Sequence, residues 1–71
     1  MSYARSLSAA DVGARVVVRR RLGDGQYGDL LGELLAWADN VIVRDRHGVE
    51  HVVDRADVLA GKTVPPAPER R

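Results

Sequence analysis

Seventy-one residues with 11 Lys or Arg, 10 Asp or Glu and no cysteine make one small domain, and exclude both a disulfide framework and a thiolate metal site. A chain this short buries only roughly 60–65% of its unfolded surface, so its stability must rest on Val, Leu and the lone Trp37. No basic segment followed by an apolar run opens the chain, and no stretch approaches the ~20 apolar residues of a membrane helix, so we expect a soluble cytoplasmic domain.

Residues 1–7 have no period and read as a flexible lead-in. Ser8 and Asp11 have the spacing of a capping box on a single helical turn, which Gly13 can end in a left-handed conformation. From Arg15 to Leu22 the β-branched and charged composition predicts a strand, with Val16, Val18, Arg20 and Leu22 on one face and Val17, Arg19 and Arg21 on the other. Gly23 to Gly28 is a glycine-rich loop. Asp29 to Trp37 suits helix nearly as well as strand, because Leu30, Leu31, Leu34 and Leu35 are helically spaced. Gly32 weakens the helix; in a strand it marks a bulge or a close backbone approach, and strand is the reading adopted.

Ala38 to Asn40 forms a tight connection, and Val41 to Arg46 a third strand with Val41 and Val43 inward. His47-Gly48 is a two-residue hairpin signal, after which Val49 to Val53 pairs back with Val49, His51 and Val53 on one face. Ala56 to Gly61 predicts one helical turn closed by Gly61, and Lys62 to Val64 a short last strand. Residues 65–71 are a proline- and charge-rich tail of linker type, leaving 8–64 as the folded domain. Short strands, tight turns and a helical turn before the last strand predict an all-β fold, a small five-stranded SH3-like, partly open barrel. The expected core is Val16, Val18, Leu31, Leu34, Trp37, Val41, Val43, Val53, Val58 and Leu59.

The blocks at 11–22 (DVGARVVVRRRL), 30–37 (LLGELLAW) and 56–66 (ADVLAGKTVPP) resemble the SH3-like domain at the N-terminus of certain actinobacterial proteins, where it precedes a GNAT-type N-acetyltransferase domain. The resemblance covers roughly residues 8–66 and departs at the His47-Gly48 turn and in the shorter connection at Asn40. It implies a non-catalytic accessory module with the tail as the start of a linker. The acetyl-CoA site it implies belongs to another domain, so no cofactor-binding residue carries over to this chain.

Charge is unevenly distributed. Residues 1–22 hold five arginines against Asp11, whereas residues 23–61 hold eight acids against Arg44, Arg46 and Arg55. A basic strand beside an acidic one neutralises itself across a sheet; alone, it seeks an anion. If the first two strands form a hairpin, Arg19 and Arg21 come near Asp29 and Glu33. The Gly23–Gly28 loop lacks the Gly-Lys-Ser/Thr ending of a phosphate cradle and reads as a hairpin loop. His47 and His51 straddle a turn near Asp45, Glu50 and Asp54, a poor arrangement for converging metal ligands. No nucleophile, base and orienter fall together: Ser2, Ser6 and Ser8 sit in the N-terminal region, and Asp54 and Asp57 read as solvated acids.

These features predict a chain that is not an enzyme and carries no cofactor or metal. We expect an accessory or interaction domain that docks with or orients a GNAT-type acetyltransferase domain or another protein, with a strand edge offering a route to a homodimer. The alternative is a small-barrel nucleic-acid-binding protein using its arginine-rich strand. Arg19, Arg21, Tyr27 and Arg44 are the candidate contact surface.

Overall fold

The computed structural model describes residues 7–65. It is all-β, with strands β1 (Arg15–Arg21), β2 (Tyr27–Trp37), β3 (Asn40–Arg44), β4 (Glu50–Asp54) and β5 (Val58–Thr63). The five form one antiparallel sheet in the order β4-β3-β2-β1-β5, open between its two edge strands. Single 3-10 turns at Ala9–Asp11 and Arg55–Asp57 are the only helical elements among the described residues, and none is long enough to cross a membrane. The lead-in and the tail lie outside the described residues, apart from Leu7 and Pro65.

Strand alternation in β1 follows the residue pattern: Val16 and Val18 are fully buried, and the flanking odd positions face outward. β2 resolves the ambiguity of its leucines by pairing with β1 along its first half, with Val16 opposite Gly32 and Val18 opposite Leu30. That register buries Leu30 and Leu34 and turns Leu31 outward, 46% exposed, correcting its expected place in the core. Leu59, also expected inside, is 41% exposed, because β5 bulges there between its pairings with Arg19 and Arg20. The buried set is Leu7, Val16, Val18, Leu30, Leu34, Val41, Val43 and Val53, with Ala14, Trp37 and Val58 packed at its margin. Each such Val or Leu stabilises the fold by about 1.5–3 kcal/mol relative to exposure.

At Gly32, β2 runs against the backbone at the end of β3. A Cβ there would collide with the Arg44 carbonyl oxygen, and would also lie 2.8 Å from the Arg44 carbonyl carbon and 3.1 Å from Asp45 Cα. The close backbone approach expected of a glycine inside a strand is therefore present at this position. The bulge of β2 comes later, where Leu35 is the extra residue between the pairings of Leu34 and Ala36 with β3.

Three local expectations change. The β3–β4 connection is longer than a two-residue hairpin: Asp45 N–H donates to Val49 O at 2.9 Å and Gly48 N–H to Asp45 O at 3.0 Å, leaving 46–48 as the loop. Only Gly48 has positive φ, +82°, which fits a three-residue loop and not a two-residue turn that needs left-handed geometry at His47 as well. Val49 accordingly lies just before β4 and is exposed. The second 3-10 turn ends at Asp57, and Val58 to Gly61 is already strand. Gly61 pairs with Val18 instead of closing a turn, and its missing side chain makes room for Leu7, whose Cδ1 would lie 2.8 Å from a Cβ. The first turn matches its sequence: Ser8 and Asp11 form the reciprocal capping box, and Gly13 follows at φ +98°.

Candidate interaction surface

The outward face of β1 and β2 displays the charged side chains. Arg19 lies opposite Asp29 and pairs with it, Nε to Oδ1 at 3.1 Å. Glu33 does not reach the β1 arginines; it accepts from Arg44 Nη2 of β3 at 2.6 Å. Both pairs are nearly half exposed, so each contributes about 0.2–1 kcal/mol and is screened by salt. Arg21 faces Tyr27, which is 61% exposed, and no carboxylate among the described residues is within ion-pair distance of Arg21. Arg20 turns the other way, as its position requires, and its buried Nε has no hydrogen-bond partner among the described residues.

The four candidate contact residues thus separate. Arg19, Arg21 and Tyr27 share the outer face at one end of the β1–β2 hairpin. Arg44 sits on β3 opposite Glu33, roughly 13 Å along β2 from Asp29 at the usual strand rise.

Near Arg44 lies a feature that sequence reasoning missed. An open cleft of about 1080 Å3 runs from Arg15 and Val64 across Leu31 and Gly32 to Arg44, Asp45, Arg46 and His47. Arg15 Nη1 donates to Pro65 O at 2.9 Å, and Arg46 Nε approaches His47 Nε2 at 3.5 Å. Among the described residues neither Arg15 nor Arg46 has a carboxylate within ion-pair distance. Gly32 was the one sequence signal that pointed here.

Asp45, at the end of the cleft, organises the hairpin. Its Oδ1 accepts the N–H groups of His47 at 2.8 Å and Val49 at 3.1 Å, and its Oδ2 lies 2.8 Å from His51 Nε2. The hydrogen bond with His51, then that from Val49, hold the Asp45 carboxyl down at about 2 against the opposing effect of burial. His47 points toward Arg46, so the two histidines do not converge. No cluster of three or more His, Cys, Asp or Glu side chains among the described residues is arranged to hold a metal ion.

A family model described as the Rv0428c N-terminal Sm-like domain matches residues 10–62, from the first 3-10 turn into β5. No curated protein and no solved structure matches the chain.

Proposed function

The chain belongs to the Rv0428c N-terminal Sm-like domain family, and on that premise we propose that it is a non-catalytic accessory module that docks with or orients a partner domain. The family description itself carries the reading: it names a domain at the N-terminus of a protein, and a small Sm-like barrel is not a recognised catalytic fold. The partner implied by the resemblance of the blocks at 11–22, 30–37 and 56–66 is a GNAT-type N-acetyltransferase domain, which would supply the acetyl-CoA site.

The test uses a protein in which this chain precedes such a domain. Backbone relaxation should give both domains one correlation time, and deleting residues 1–64 should change the KM or the thermal stability of the acetyltransferase. Independent tumbling with unchanged kinetics refutes the reading. The outer edges of β4 and β5, which are the outermost strands of the sheet among the described residues, offer a further partner, a second copy of the chain, which sedimentation at increasing concentration would reveal.

One observation supports a second reading, nucleic-acid binding. Arg21 and Tyr27 put a guanidinium and a stackable ring side by side on the outer face, the pairing that single-stranded nucleic acid uses. Titration with short RNA and DNA at two salt concentrations decides it. Steeply salt-dependent binding lost on Arg21→Ala and Tyr27→Ala supports this reading, and absent or millimolar binding removes it.

A further inference from the structure

β2 outruns its neighbour. Its pairing with β3 stops at Glu33 opposite Arg44, whereas β1 accompanies it back to Tyr27. In an antiparallel ladder, successive residues direct their N–H and C=O groups to opposite edges. Leu34 N–H donates to Ala14 O on the β1 side at 2.9 Å, so Gly32 also faces β1 while Glu33 and Leu31 face away from it. Glu33 meets β3. Leu31 has no residue of β3 opposite it, and its polar backbone groups point past the end of that strand, where the cleft lies.

We propose that this cleft binds an extended, carboxylate-bearing segment of a partner polypeptide, which adds to β2 at Leu31. Three features select that occupant. A strand edge is recognised by another backbone, which supplies the matching donors and acceptors. The exposed Leu31 side chain offers an apolar contact beside it. The cleft also carries Arg15 and Arg46, which have no carboxylate partner among the described residues, and an acidic segment complements them. Arg44 is held by Glu33 and contributes position more than free charge.

This inference rests on reading the chain as an interaction module and names the surface and chemistry of that interaction. It is tested on the chain alone, with a short fluorescein-labelled peptide alternating aspartate and valine, so that all carboxylates fall on one face. A lysine–valine peptide and an aspartate–valine peptide with a central proline are the comparisons. The acidic peptide should bind, the lysine peptide at least tenfold more weakly, and the proline peptide should lose affinity because it cannot complete the edge pairing. Arg46→Glu should weaken binding about tenfold without lowering Tm, since Arg46 is exposed on the loop. The Leu31 amide should gain hydrogen-exchange protection when the acidic peptide binds. Equal binding of both charges, protection confined to the β4 or β5 edge, or displacement by a single-stranded oligonucleotide would overturn the proposal. Such a result leaves the accessory role intact if the two-domain protein still tumbles as one body. Independent tumbling removes that role while leaving the peptide result to stand.

Discussion

Replacing Gly32 with alanine should destabilise the domain out of proportion to the single methyl added. Gly32 is not in left-handed backbone, so conformational freedom is not what the site requires. It requires space, because the new Cβ would meet main-chain atoms of Arg44 and Asp45, which cannot rotate aside as a side-chain tip can. Overpacking of this kind costs about 1–3 kcal/mol, and contact with backbone places it toward the upper end. Alanine recovers about 0.4–1 kcal/mol by restricting the unfolded chain. The net loss is about 2 kcal/mol, against a total stability on the order of 3–9 kcal/mol for a domain of this size. At about 4–8 °C per kcal/mol, Tm should fall by about 8–16 °C. Trp37, packed at the core margin, reports the transition by fluorescence. The control is Gly28→Ala, whose Cβ would meet only the flexible Leu22 side chain at 3.4 Å and should shift Tm by little. A Gly32→Ala protein melting with or above the Gly28→Ala protein would refute the claim that the Arg44 and Asp45 backbone leaves no room for a side chain here.

Gly61→Ala should cost about 1 kcal/mol or more, and the double variant with Leu7→Ala should be less destabilised than the sum of the single changes, because removing Leu7 leaves only the Val17 carbonyl oxygen, at 3.2 Å, close to the new Cβ. Urea denaturation of the four proteins measures that coupling. Asp45 titrates lower in the folded protein, at about 2, than its ordinary 3.8, so its contribution to stability is present above pH ~4 and lost as pH falls toward 2. Melting curves across that range should lose part of their acid slope in Asp45→Asn. Arg19→Ala and Asp29→Ala should each change stability by no more than about 1 kcal/mol, with a coupling that shrinks as salt is raised; undiminished coupling at high salt would contradict the exposed placement of the pair.

How much could be read in advance depended on whether the deciding contact was local. The alternation of Val16 and Val18 is a property of a few adjacent residues, and so is the capping box of Ser8 and Asp11; both appear in the fold as written in the chain. The choice between Leu30 and Leu31 was different, because either satisfies the composition and only the pairing of Val18 with Leu30 turns one of them inward. Gly61 looked like the end of a turn, since its tertiary neighbour Leu7 lies far away in sequence. The cleft was the least legible feature. Arg15, Leu31, Arg46 and Val64 are scattered along the chain, and only the strand pairing of the whole sheet gathers them.

The strand order also implies a sequence of events in time. β1 to β4 pair as successive hairpins, each closing a short loop, whereas β1 meets β5 only when Val16 finds Thr63 across most of the chain. A long loop is slower to close, so β5 should dock last, and Leu7 can be covered only after Gly61 has arrived. Kinetic φ-values at Leu7 and Gly61 should accordingly lie below those in β1 and β2. During synthesis the ribosome releases β5 last of the five strands, so the four-stranded meander can form first, with the outer edge of β1 waiting for its final partner.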